Sequence, residues 1–137
     1  MFQKYDDYLN GVREFDDYWS DVGISEAIEI LNAFTEKDWE ILKEKIEERP
    51  QIWLVSCAET LSEVSDVNHA YDVLLHLIEK DTEEVVISAI DAINALASYG
   101  FNVLPDSTQL RHGIERARKK AGKVGLLVLD SLEKKLA

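Results

Sequence analysis

The sequence predicts an all-α protein, and three observations support that prediction. Apolar residues recur at helical spacing along the chain, and no stretch alternates between apolar and polar residues as a half-buried strand would. Only 2 prolines and 6 glycines occur among the 137 residues, and they fall between the periodic segments. Residues that cap helices stand where those segments begin. We therefore expect one helical domain over residues 1–137, long enough to bury a core.

Eight helices are expected along the chain. They span residues 3–20, 24–34, 36–48, 50–64, 67–80, 83–98, 107–121 and 124–135. The first is either continuous or broken at Asn10 and Gly11. Capping boxes are expected at residues 35–38, 81–84 and 106–109, and Gly100 suits a helix C-terminus.

The chain also repeats itself. Residues 39–64 lie without a gap over residues 71–96 at an offset of 32, and apolar residues coincide at 11 positions. A pair of helices of this length cannot bury its apolar face alone, so neighbouring pairs are expected to stack. Residues 24–34 and 124–136 match the second helix of the unit, which gives about four helical hairpins.

This pattern resembles the HEAT-like class of α-solenoids. The resemblance implies a short right-handed superhelix of about four antiparallel hairpins, with irregular end units as caps. The second helices of such units commonly line the concave binding face. On that face one exposed position is acidic in every unit, as Glu29, Glu59, Asp91 and Asp130.

The first 21 residues repeat a short motif and hold 6 of the chain's 12 aromatic residues. Residues 5–10, YDDYLN, return as residues 15–20, FDDYWS. On a continuous helix most of these aromatic residues form one apolar stripe and are expected in the core: Tyr5, Tyr8, Leu9, Val12, Phe15 and Trp19. Three aspartates, Asp6, Asp7 and Asp17, are expected to face away from the stripe.

Other residues of this motif do not fit a plain core helix. Tyr18 falls at the edge of the stripe, and Tyr8 is a candidate for partial exposure. Asp16 falls inside the stripe, so either it has a basic or amide partner or the segment is not helical throughout. Tyrosines edged by aspartates suit contact with a surface rich in arginine and lysine.

The net charge of −12 is unevenly distributed. Residues 1–105 carry 23 acidic and 7 basic side chains, whereas residues 106–137 carry 4 and 8. The acidic part attracts cations and basic proteins, so we expect no direct binding of nucleic acid there. A basic strip within the last part consists of Arg111, Arg116, Arg118, Lys119, Lys120 and Lys123. It either complements a helix C-terminus or contacts the acidic half of the same molecule or a second copy of it.

No catalytic or cofactor-binding constellation is recognisable. Cys57 lies on an apolar stripe and is expected as a small core residue. The three histidines have no metal-ligand spacing, so no metal site is expected. A single cysteine, no signal peptide and no long apolar run favour the cytoplasm, without membrane attachment.

A small, acidic, all-helical domain of this kind is similar in type to bacterial toxin-immunity proteins, some of which resemble HEAT-like solenoids. The resemblance implies a non-catalytic inhibitor, a monomer or weak dimer, that covers the substrate groove of a basic nuclease toxin. The expected contact residues are Asp6, Asp7, Tyr8, Asp16, Asp17, Tyr18, Glu59, Glu63 and Asp91. Two alternatives stay open: an adaptor that holds a basic peptide or helix, and an enzyme acting on nucleic acid.

Overall fold

Most of the residues that the structure describes are helical. The computed structural model describes residues 1–101, 108–120 and 122–136, and these ranges contain no strand. The predicted all-α class is therefore confirmed. The helices of the described residues are α1 (Phe2–Asn10), α2 (Ile24–Asn32), α3 (Glu36–Lys45), α4 (Gln51–Leu61), α5 (Val67–Leu77), α6 (Glu83–Ser98), α7 (Thr108–Lys120) and α8 (Lys123–Leu136).

Two sets of helices alternate along the chain. α2, α4, α6 and α8 contact one another in that order, and α1, α3 and α5 do the same. Several hydrogen bonds join residues 33 positions apart, close to the 32-residue offset of the repeat; one joins Lys80 Nζ to Glu47 Oε2 at 2.9 Å. Units one repeat apart are therefore in contact, and their winding into a right-handed superhelix of hairpins stays a prediction.

α4 lies at the centre of the core. It contacts α1, α2, α5 and α6, and most of its residues are buried. Three of its residues reach solvent: Gln51, Ile52 and Glu59. Because α4 is covered on most sides, its one acidic residue, Glu59, is half-buried, and it lies near Asp91 and Glu84 of α6.

The predicted capping box at residues 35–38 is present. Thr35 Oγ1 accepts a hydrogen bond from Asp38 N at 3.3 Å, and Asp38 Oδ2 accepts one from Thr35 N at 2.9 Å. Asp38 also accepts from Phe2 N at 3.2 Å, which ties the start of α1 to the start of α3. The hydrogen bond from Thr35 N–H contributes most to lowering the pKa of Asp38, although burial of the carboxylate opposes it.

The other predicted helix ends have different outcomes. Thr82 precedes α6 without a side-chain hydrogen bond at the cap, so the prediction of a capping box at residues 81–84 is wrong. Gly100 ends α6 as predicted, since its φ of +95° lets Phe101 N bond back to the last turn of the helix. The predicted box at residues 106–109 begins outside the described residues.

The first helix is shorter than a continuous helix over residues 3–20. α1 ends at Asn10, at the alternative break, and one turn of π-helix over Trp19–Gly23 leads into α2. Asp16 explains the new start, because its Oδ1 accepts from Trp19 N at 3.0 Å. Phe15 leaves the apolar stripe and is 42% exposed, so the expectation that it lies in the core is wrong.

Candidate protein-binding surface

A hydrogen bond between Trp19 and Glu59 links the π-helical turn before α2 to α4. Trp19 Nε1 donates to Glu59 Oε2 at 2.6 Å. The indole is only 4% exposed, whereas the Glu59 side chain is half-buried. A buried indole thus fixes the position of a carboxylate at the protein surface.

The π-helical turn brings the Trp19 indole to this position. Trp19 O accepts from Ile24 N, five residues further on, which widens the backbone by one residue relative to an α-turn. The ring packs directly on Gly23, where a Cβ atom would lie 2.7 Å from Trp19 Cε3. Glycine at this position is therefore what allows the indole to lie flat against the turn and reach Glu59.

The part of the chain that the structure describes shows no cation paired with Glu59. The ion pairs among the described residues do not include Glu59, and its electrostatic neighbours are Asp91 and Glu84. Burial is the largest influence and raises the pKa of Glu59; the hydrogen bond from Trp19 lowers it, and the two carboxylates raise it again. The net effect is a raised pKa, so the surroundings disfavour the charged form of this side chain.

A groove of about 490 Å³ lies beside this site and is lined by the N-terminal segment. Trp19 also lines the groove, so the groove and the Trp19–Glu59 hydrogen bond share one residue. The structure brings four of the predicted contact residues together here: Asp7, Tyr8, Asp16 and Tyr18.

The two tyrosines of the groove differ in exposure. Tyr18 is 60% exposed, as expected for the edge of the stripe. Tyr8 is partly exposed, and its hydroxyl donates to Glu26 Oε2 at 2.5 Å. Burial and then this carboxylate raise the pKa of Tyr8, so its hydroxyl stays protonated and its single proton is used in the hydrogen bond to Glu26.

Asp6 does not lie on this surface. Arg49 donates from Nε to Asp6 Oδ1 and from Nη2 to Asp6 Oδ2, both at 2.8 Å, and Trp53 Nε1 donates to Oδ1 at 3.0 Å. The expectation that Asp6 faces away from the core is wrong, because α1 contacts α2, α3 and α4 and is covered on more than one side. The hydrogen bond to Asp6 raises the pKa of Arg49, which burial alone would lower.

The expected row of exposed carboxylates holds only in part. Glu29 and Asp91 are exposed and Glu59 is half-buried. Asp130 pairs with Arg118 Nη2 at 2.7 Å, and the same guanidinium contacts a second acid of α8. Part of the basic strip thus neutralises the C-terminal member of the row, so the expectation of an unpaired carboxylate there is wrong.

Two further predicted contact residues do not line the groove. Glu63 follows the end of α4 and lines a separate cavity of about 840 Å³. Asp17 is exposed and does not line the groove.

In the basic strip, Arg116 Nη2 donates to the carbonyl oxygen of Ile78 at 2.8 Å, so it caps the C-terminal end of α5.

The described residues offer neither a metal-binding cluster nor a reactive cysteine. The described residues contain no group of three His, Cys, Asp or Glu side chains arranged to hold a metal ion. Burial raises the pKa of Cys57 to about 12, which keeps the thiol protonated and unreactive. In the same part of the chain no helix is both long and apolar enough to cross a membrane.

Sequence reasoning did not identify two residues of this surface. It assigned Trp19 to the core, which the structure confirms, but it did not foresee the hydrogen bond from Trp19 to Glu59. It assigned Glu84 to a capping box, whereas the structure places Glu84 near Glu59. A signal for Trp19 was available in the glycine four residues after it and the helix-capping Asp16 three residues before it.

Comparisons of the chain with protein-family models, curated proteins and solved structures give no match.

Proposed function

We propose that this chain is a non-catalytic, cytoplasmic inhibitor that binds a basic protein through its acidic surface. In its most specific form it is a toxin-immunity protein that covers the substrate groove of a basic nuclease. The observation that carries the proposal is Glu59, which a buried indole holds at the surface beside Asp91 and Glu84, with no cation of the described chain paired to it.

The contrast with other acids of the chain supports this proposal. Asp72 pairs with Lys43 at 2.8 Å and Glu47 pairs with Lys80 at 2.9 Å, so nearby cations are used elsewhere on the surface. At Glu59 the nearest charges are instead of the same sign, and its pKa is raised. A lysine or arginine of a partner placed there would favour the ionised form, and this gain would add to the binding energy.

The expected architecture supports the assignment of binding to the same surface. If the hairpins wind into the right-handed superhelix that the repeat predicts, α2, α4 and α6 line its concave side. Glu29, Glu59 and Asp91, one from each of these helices, would then face a partner together. The excess negative charge would also steer a basic partner and speed its association at low salt.

The test begins with the gene beside the one that encodes this chain. We expect it to encode a protein with a basic nuclease domain, which this chain binds tightly and silences. The double variant Glu59→Gln, Asp91→Asn should weaken the affinity by about tenfold or more and reduce its dependence on salt. Calorimetry in low and high salt, with a nuclease assay, measures both effects.

A matched control removes the same charge from the opposite set of helices. Glu40 and Glu44 are exposed on α3, and the double variant Glu40→Gln, Glu44→Gln should change the affinity by less than about twofold. Equal losses of affinity in the two double variants would show that only the net charge matters, and this result would contradict the assignment of Glu59 and Asp91 to the binding surface. A bound nuclease that stays active would favour the adaptor function instead.

A further inference from the structure

Exposed apolar side chains concentrate in the segment that precedes α2. Within the described residues six large hydrophobic side chains are exposed, and three of them lie in this segment: Phe15, Tyr18 and Val22. The Phe15 ring lies 6.2 Å from the buried Trp19 ring. An exposed apolar patch with a polar rim is typical of a protein interaction site.

The patch borders a groove that is large enough for a side chain of a partner. Its volume of about 490 Å³ falls within the range of about 300–1,000 Å³ that is usual for binding pockets. Tyr8, Val12 and Tyr18 line it, and Trp19, fixed by Gly23 and Glu59, also lines it. Single π-helical turns such as the one at Trp19 are frequent at functional sites.

The rim of the groove sets the charge of its occupant. Three carboxylates line it, Asp7, Glu14 and Asp16, against one guanidinium, Arg13. None of the three carboxylates is in an ion pair with a described cation, although Asp7 accepts from Gln3 Nε2 at 2.8 Å and Asp16 caps the π-turn. An apolar floor with a negative rim is complementary to a large apolar side chain flanked by positive charges.

From this complementarity we infer that the groove, lined by Tyr8, Tyr18 and Trp19, binds one aromatic anchor residue of a protein segment in which lysines and arginines flank that anchor. The inference rests on the proposed function, since it names the element of the basic partner that this chain recognises. Aromatic anchors that fill a pocket carry much of the energy of protein interfaces. The carboxylates of the rim would orient the segment and increase its association rate.

The test uses two short synthetic peptides labelled with fluorescein. One carries lysines and arginines on both sides of a central tryptophan, and the other has alanine in place of that tryptophan. Anisotropy titrations with the full chain should show about tenfold tighter binding of the tryptophan peptide. Tyr18→Ser should abolish most of that difference, while the weaker binding of the alanine peptide stays.

A matched control is available in Tyr99, which is 77% exposed near the C-terminal end of α6. Tyr99→Ser should leave the tenfold preference unchanged. Equal binding of the two peptides to the wild-type chain would overturn the anchor inference and leave the proposed function intact. Failure of both peptides to bind at low salt would contradict the inference and also the attraction of cationic segments on which the proposed function depends.

Discussion

Two carboxylates of this protein each accept a hydrogen bond from an indole, and their surroundings otherwise differ. Asp6 on α1 receives Trp53 Nε1 at 3.0 Å and also both arms of the Arg49 guanidinium at 2.8 Å. Glu59 on α4 receives Trp19 Nε1 at 2.6 Å, and within the described residues its charged neighbours are the carboxylates of Asp91 and Glu84. One site is complete within the chain, whereas the other lacks a positive charge.

The difference separates a structural acid from a candidate binding acid. The pair of Asp6 and Arg49 joins α1 to the segment that leads into α4, two residues before that helix begins, and both side chains are mostly buried. Burial of a paired charge holds helices in one arrangement, but it removes the charge from the surface. Glu59 keeps its charge at the surface at some cost to folding, and such a cost is common where a residue serves binding.

The largest effect is expected from breaking the completed site. Asp6→Asn leaves the Arg49 guanidinium, whose side chain is only 18% exposed, with the exposed Glu48 at 4.0 Å as its remaining negative partner. We expect the free energy of unfolding to fall by about 3 kcal/mol, the lower end of the range for a broken buried pair. Urea unfolding at neutral pH, monitored by circular dichroism, measures this loss.

The adjacent aspartate provides the control. Asp7 is exposed and accepts only from Gln3, so Asp7→Asn should change the free energy of unfolding by less than about 0.5 kcal/mol. Similar losses in the two variants would show that Asp6 is no more structural than its neighbour, and the comparison would fail.

A smaller effect is expected from displacing the indole that holds Glu59. Gly23→Ala places a Cβ atom 2.7 Å from the Trp19 ring, so the ring must move and the hydrogen bond to Glu59 is lost. We expect a loss of about 2 kcal/mol in the free energy of unfolding, as is usual for overpacking. The indole N–H resonance of Trp19 should also shift toward the position of a solvated indole in NMR spectra.

Gly11→Ala is the matched control for Gly23→Ala. A Cβ atom at Gly11 would have its nearest contact at 3.4 Å, with Tyr8 O, which is an ordinary distance. The free energy of unfolding should change by less than about 0.5 kcal/mol, and the Trp19 resonance should stay in place. An unshifted Trp19 signal in Gly23→Ala would mean that the indole does not depend on this glycine.

Local patterns in the sequence predict the helices well. Apolar spacing and the threonine at position 35 give the course and start of α3, and Gly100 gives the end of α6. These features depend on residues within one or two turns of each other, which a single sequence displays. The sequence left the break after α1 open, because Asn10 and Gly11 are compatible with either a continuous helix or a break.

The candidate site depends on contacts that sequence patterns do not show. Asp6 and Asp7 are adjacent acids on one helix, yet only Asp6 faces Arg49, which is 43 residues away. Whether an acid of α1 is exposed depends on how α3 and α4 pack around that helix, and the periodicity of α1 alone does not reveal it. Glu59 and Trp19 are likewise 40 residues apart, and only the packing of α2 against α4 brings them together.

The smallest effect, of opposite sign, is expected from neutralising the incomplete site. Folding raises the pKa of Glu59, chiefly through burial. Glu59 therefore contributes to the free energy of unfolding at pH values below its unfolded pKa of about 4.5, and this contribution is lost as the pH rises through the pKa of the folded state. Glu59→Gln removes that loss, and at pH 7 it should stabilise the chain by a few tenths of a kcal/mol, since solvent screens a half-exposed group. Below about pH 4 the difference from the wild-type chain should vanish, because Glu59 is then protonated in both states. Urea titrations at the two pH values, with the exposed Glu44→Gln as control, measure the difference. A loss of stability at pH 7 would mean that the charge of Glu59 is already compensated within the chain, and Glu59 would then belong with Asp6 as a structural acid.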